Sequence, residues 1–211
     1  ALSDAEFNDN DTYGPAADGG NGQNQYYAEG AVIKAKTGST VYVNGGGSLT
    51  INANSKNGIK TGAGSMLEIS ELSLNVTAVK NCLGSENELI IRSGTLRLSS
   101  GNDAIKADDA GLTGTVLITG GDIHINSQDE GIIAADKVVI CSGTFDITTS
   151  GDAIKAENVD ESDGNILIYG GDFTINSVCD GLQAAGGIDI YGGELDITCC
   201  EGSTNSSYNK D

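Results

Sequence analysis

Six positions in this sequence carry an acid or an amide at intervals of 24, 22, 27, 22 and 28 residues: Asn57, Asn81, Asp103, Glu130, Asp152 and Asp180. Each opens a short segment, NGIKT, NCLGS, DAIKA, EGIIA, DAIKA and DGLQA in turn. If the segments stack in register, the six side chains form a ladder, amide at one end and carboxylate at the other. Ionised neighbours about 4.8 Å apart at an effective dielectric near 20 repel by roughly 3–4 kcal/mol, so four carboxylates in line require neutralisation. Lys106 and Lys155 follow two of the rungs by three residues and can contribute, but Ile133 and Gln183 hold the equivalent places beside Glu130 and Asp180. A hard divalent cation is the stronger candidate, because Ca²⁺ takes six to eight oxygens from carboxylates, amides and carbonyls. The oxygen donors are dense here: Asn102, Asp103, Asp108 and Asp109; Asp129, Glu130 and Asp136; Asp152, Glu157, Asn158, Asp160, Glu161 and Asp163; and Asp180. More than one Ca²⁺ is expected. The plainer alternative is that these are solvated turns, where Asp and Asn are ordinary residues. DNDTYG (9–14) opens like an EF-hand loop, but position 20 is Gly, so it reads as a loop.

Register requires a repeat, and the sequence has one. After each short segment comes an alternating stretch: LEISELSLNV (67–76), LIIRSGTLRL (89–98), VLITGGDIHI (116–125), VVICSGTFDI (138–147), ILIYGGDFTI (166–175) and IDIYGGELDI (188–197). A degenerate earlier copy reads AVIKA (31–35) and YVNGGGSLTI (42–51). A period in the twenties with strict alternation inside each copy marks a solenoid of strands. Side chains alternate across a strand, so the column Ile69, Ile91, Ile118, Ile140, Ile168, Ile190 faces inward. So does Val76, Leu98, Ile125, Ile147, Ile175, Ile197, while the intervening Asn75, Arg97, His124, Asp146, Thr174 and Asp196 face outward. The Gly-Gly or Ser-Gly pair between the two halves allows a sharp bend. The expected fold is all-β, a parallel β-helix of about seven coils and roughly 34 Å, with right-handed crossing as the default. Residues 1–30 lack alternation and read as a loop or cap, 31–202 as the β-helix, and 203–211 as a polar tail.

Composition excludes some partners. Thirty acidic residues against eleven basic ones give a formal charge of −19, which argues against nucleic acid. No apolar run approaches the roughly 20 residues of a membrane helix, and the opening residues do not read as a signal peptide. Trp is absent and His occurs once, which removes most His-based catalysis and His-rich metal sites. His124 itself reads as an isolated, solvated residue. Five cysteines are an odd number, so at least one thiol is free or pairs between molecules. Cys82 replaces a small residue in its short segment, Cys141 faces outward, and Cys179 lies within bridging reach of Cys199 or Cys200.

The GDAIKA and GGxFxI copies, repeated over about 31–202, resemble the bacterial carbohydrate-binding β-helix proteins of clostridia and ruminococci, related in shape to calcium-dependent pectate lyases. The resemblance implies a right-handed pectate-lyase-like β-helix, export to the cell surface or beyond, bound Ca²⁺, and plant cell-wall polysaccharide, cellulose or acidic sugars such as polygalacturonate, as partner. Its acidic position maps onto Asp103, Asp152 and Asp180; Glu130, Asn57 and Asn81 depart from it. The chain is expected to be monomeric. Three readings are open: a noncatalytic Ca²⁺-loaded carbohydrate-binding protein, which is preferred; a polysaccharide lyase with Lys106 or Lys155 as base; and a structural surface repeat. Against the lyase, nearby carboxylates raise a lysine's pKa when a base needs it lowered. The same two lysines are candidate sugar contacts. Tyr169 and Tyr191 share an outward column and form either a stacking platform for neutral sugars or a ladder that shields strands.

Overall fold

The computed structural model describes residues 2–3, 30–108, 113–158 and 163–199. Every strand pairing among them is parallel, and no helix occurs among the described residues. Each coil supplies a strand to each of three faces. The short segments make the first face, at 105–107, 132–134, 154–156 and 182–184, for example. The first half of each alternating stretch makes the second, and the second half makes the third. Two long strands, Asn57–Ser70 and Leu83–Ile91, run through the first corner without a break. They join the first two faces into one twelve-stranded sheet, while the third face is a separate eight-stranded sheet. From 48–53 to 194–199 the third-face strands step through about six turns, close to the seven coils counted from sequence. Strand 2–3 adds to the start of that sheet, pairing with 51–52.

The inward columns stack residue on residue. Ile69 pairs with Ile91, then Ile118, Ile140, Ile168 and Ile190; Val76 pairs with Leu98, Ile125, Ile147, Ile175 and Ile197. In the inner coils these side chains are essentially inaccessible, and each fully buried aliphatic side chain contributes about 1.5–3 kcal/mol. Phe145 and Phe173 stack inside the rod with ring centroids 4.4 Å apart. The last coil differs: Ile188 and Ile190 are 43% and 50% exposed, because nothing among the described residues stacks beyond them.

The glycine bends behave as the pattern requires. Gly143 and Gly171 have φ of 130° and 121°, and a Cβ on Gly171 would lie 3.1 Å from the Gly143 carbonyl oxygen. In the one copy without glycine there, Glu71 itself adopts φ 68°, with its N–H donating to Ser93 Oγ at 3.1 Å.

Candidate functional site

A hydroxyl sets the turn in front of each carboxylate rung. Ser100, Ser127, Thr149 and Ser177 end third-face strands, and each donates to the carbonyl oxygen two residues on: Asn102, Asp129, Gly151 and Cys179. The next residue is the rung itself. In front of the amide rung Asn81 the equivalent residue is Ala78, in register with Ser100. In the sequence the signal for this hydroxyl column, which period-two alternation does not mark, is a Ser or Thr three residues before each acid.

The rungs stack as expected, but their environments diverge. Asp103 and Asp152 are buried, Glu130 is half-buried and Asp180 is exposed. At the amide end Asn57 Nδ2 donates to the Gly30 carbonyl at 3.1 Å, and Asn57 Oδ1 accepts from the Asn81 backbone N–H at 3.3 Å. Asn102 Nδ2 bridges Asn81 Oδ1 at 3.1 Å and Asp103 Oδ2 at 3.2 Å, so it joins the two halves. At the far end Asp152 Oδ1 accepts from the Asp180 backbone N–H at 2.9 Å. Rungs thus hold the next coil's backbone whether they are amides or acids.

The ladder's charge is met by lysine to a degree the sequence reading did not anticipate. Lys106 Nζ lies 3.2 Å from Asp103 Oδ2 and 3.6 Å from Asp108 Oδ2. Lys155 Nζ lies 3.1 Å from Glu130 Oε1, 3.4 Å from Asp152 Oδ2 and 3.6 Å from Glu157 Oε2. Glu130 was expected to lack a lysine because Ile133 follows it; Lys155 reaches back one coil, since Ile133 and Lys155 are strand neighbours. The electrostatic demand for a cation at every rung therefore falls away. One compact group of acids is left among the described residues: Asp103, Asp129 and Glu130 offer carboxylate oxygens within 4.8 Å of one another. Burial and a hydrogen bond to Glu130 push the Asp103 carboxyl up to about 6, partly offset by Lys106. Burial and the hydrogen bond to Glu130 raise Asp129 as well. Burial also acts to raise Glu130, but hydrogen bonds from Asp103, Lys155 and Asp129 outweigh it and hold Glu130 below its ordinary value. Glu130 is thus the shared acceptor at the centre of the group.

Both lysines hold their protons tightly. Burial alone would lower them, yet Asp103 around Lys106 and Glu130 around Lys155 raise both above the ordinary lysine value. Of the other expected metal ligands, Glu157 is exposed and pairs with Lys155, Asn158 is buried, and Asp180 is exposed and not part of the group. Asp109, Asp160 and Glu161 lie outside the described residues, as do the DNDTYG loop and the polar tail.

Tyr169 and Tyr191 stack on each other outside the rod, centroids 4.9 Å apart and planes 12° from parallel. Each ring covers one face of the other, so the pair forms a ladder and offers sugars one outer ring face at each end rather than a broad platform. Cys82 is buried and donates to the carbonyls of Ser99 at 3.2 Å and Val76 at 3.5 Å; burial pushes its thiol up to about 12. Cys199 is a free thiol in register with Ser177; Cys200 lies outside the described residues.

The outward column through Arg97 and His124 belongs to a second surface. Across four strands of the eight-stranded sheet runs a shallow groove of about 410 Å³. Two polar rows line it: Asn75, Arg97, His124 and Asp146, then Thr77, Ser99, Asn126 and Thr148. His124 is not an isolated residue: its Nε2 lies 3.2 Å from Asp122 Oδ1 and its Nδ1 3.5 Å from Asp146 Oδ2.

Comparison with known proteins adds one positive result. A family described as "Carbohydrate-binding domain-containing protein" matches residues 7–135 and 112–211. No curated protein and no solved structure matches the chain.

Proposed function

Because the chain belongs to the carbohydrate-binding domain-containing family, we propose that it is a noncatalytic polysaccharide-binding rod whose ligand lies across the outer face of the eight-stranded sheet. The observation that carries this reading is the pair of polar rows. They repeat hydrogen-bonding side chains at the strand spacing of about 4.8 Å, along a shallow surface that an extended chain can follow. Arg97, Asn75 and Asn126 supply donors; Asp146 and the hydroxyls of Thr77, Ser99 and Thr148 supply acceptors. Turnover is disfavoured by the two ladder lysines. A base that removes a proton next to a uronate carboxylate must be neutral, whereas carboxylates raise both Lys106 and Lys155.

The same reading assigns the protein to the bacterial cell surface or its surroundings and plant cell-wall polysaccharide as the ligand source. It keeps Ca²⁺ for one place. Asp103, Asp129 and Glu130 would hold the ion, their mutual proximity suiting a hard cation, although three carboxylates are fewer donors than it takes and Lys106 and Lys155 already face two of them. An ion there would supply positive charge for a carboxylate-bearing sugar.

The test is pull-down on insoluble cellulose together with affinity electrophoresis in soluble polysaccharides, in Ca²⁺ and in EDTA. Binding that weakens about tenfold in an Arg97→Ala/His124→Ala variant of unchanged thermal stability is the expected outcome. Background retention on every polysaccharide would leave a structural rod as the reading. Appearance of an unsaturated uronate absorbing in the ultraviolet would make it a lyase.

A further inference from the structure

The outer face of the eight-stranded sheet changes charge once along the rod. Its outward residues are uncharged in the early coils: Ser48, Thr50 and Asn52, then Ser73, Asn75 and Thr77. Arg97 follows, the single Lys or Arg on the described strands of this sheet. Beyond it every coil adds an acid: Asp122, Asp146, Asp172, then Glu194 and Asp196. The groove of about 410 Å³ spans the change, from Asn75 through Arg97 and His124 to Asp146.

The acids of the next two coils do not neutralise Arg97. Asp122 and Asp146 both turn to His124, whose Nε2 and Nδ1 lie 3.2 and 3.5 Å from their carboxylate oxygens. Arg97 stands one strand before His124 in the same column, is exposed, and makes no ion pair among the described residues. Its guanidinium presents donors in a fixed planar fork that matches a carboxylate bidentately. Around it the groove offers neutral hydrogen-bonding groups: Asn75 on one side, and Thr77, Ser99, Asn126 and Thr148 in the adjoining row.

Resting on the carbohydrate reading above, we propose that this groove selects a sparsely charged polysaccharide, with one carboxylate-bearing sugar seated on Arg97 and neutral sugars on either side. A strand step of about 4.8 Å is close to the length of one sugar in an extended chain. A polymer charged at every sugar therefore sets its next carboxylates over Asp122 and Asp146, and like charges at that distance repel. On the other side Asn75 and Thr77 offer such a carboxylate no cation. A chain with isolated carboxylates meets the one fork and avoids the acids.

The experiment is isothermal titration of the full chain, in EDTA, with three probes: a xylan carrying uronate branches on a minority of its sugars, the same xylan after its carboxyls are reduced to alcohols, and polygalacturonate. Wild type should bind the carboxylated xylan about fivefold more tightly than its reduced form, an advantage that shrinks as NaCl rises. It should bind polygalacturonate more weakly than the carboxylated xylan. Arg97→Gln keeps hydrogen-bonding capacity and loses the charge, so the ratio between the two xylans should fall to about one, whatever the change in either affinity alone. Asp122→Asn/Asp146→Asn should raise affinity for polygalacturonate relative to carboxylated xylan by about threefold. Equal binding of the two xylans by wild type, a preference that appears only when Ca²⁺ is added, or a ratio that Arg97→Gln leaves in place overturns the Arg97 site. Polygalacturonate bound as tightly as carboxylated xylan overturns the selection for sparse charge. Binding to none of the polysaccharides, the reduced xylan included, would instead bring down the carbohydrate reading itself.

Discussion

The amide and carboxylate halves of the ladder occupy the same backbone position and solve the same structural problem with different chemistry. Asn57 accepts the next coil's N–H much as Asp152 does, at 3.3 and 2.9 Å. What differs is everything around the rung. Beyond Asn102 the turn gains a hydroxyl, the rung gains a charge, and at Asp103, Glu130 and Asp152 a lysine ammonium closes over it. Before it the turn has alanine, and Lys60 pairs with Glu86 instead of a rung. A β-helix can therefore change the function of a face from coil to coil without changing its backbone, because parallel register fixes position and leaves side-chain chemistry free.

The largest test of this contrast is Lys155→Met, which leaves the buried Asp152 and half-buried Glu130 without their shared cation. Breaking a buried pair costs about 3–5 kcal/mol; partial exposure reduces the expected loss to about 2–4 kcal/mol in urea unfolding. Lys60→Met, in the amide half, should cost under about 1 kcal/mol. Equal losses would mean that the two halves are not electrostatically distinct.

Next in size is calcium. With the ion at about 100 times its dissociation constant, wild type should gain about 2.7 kcal/mol and Glu130→Gln nothing. No gain in wild type would show that lysine alone neutralises the trio.

Asp103→Asn converts the first carboxylate rung to the amide type. Burial pushes the Asp103 carboxyl up from 3.8 to about 6. Its contribution is most favourable below the lower value, where both states are protonated, and declines as pH rises through about 6, when a buried group must ionise. The amide removes that loss, so the variant should be more stable at pH 7 by about 1–2 kcal/mol, after allowance for the lost Lys106 pair, and flatter between about pH 4 and 6. Stability that still falls across this range would assign the titration to another group. The smallest effect is the reverse exchange. Asn57→Asp places an acid three residues before Lys60, as Asp103 stands before Lys106, and should change stability by about 1 kcal/mol or less.

How much of this was legible varied with the reach of the interaction. The stacked isoleucine columns follow from period-two alternation and the bends from the glycine pairs between the two halves, and both could be placed residue by residue. The ladder was legible as a column for the same reason. Its neutralisation was not: Lys155 serves Glu130 across the step between coils, and a reading that compared only equivalent positions found Ile133 beside that acid. Tyr169 and Tyr191 were correctly placed in one outward column, but whether they offered a platform or a ladder depended on ring orientation. The column Asn75, Arg97, His124 and Asp146 was legible as outward, but that it borders a groove with Thr77, Ser99, Asn126 and Thr148 depended on the curvature of four adjacent strands.

The sequence by itself determined the repeat, the parallel all-β rod, the buried columns and the acidic edge, since each depends on side-chain spacing along one strand and on a period that stacks like on like. Only the tertiary structure decided which lysine answers which acid, that Asp103, Asp129 and Glu130 converge, and that Asp122 and Asp146 turn to His124 rather than to Arg97. Those outcomes depend on side-chain reach and direction between neighbouring coils, where about 4.8 Å separates strands that lie more than twenty residues apart in the chain.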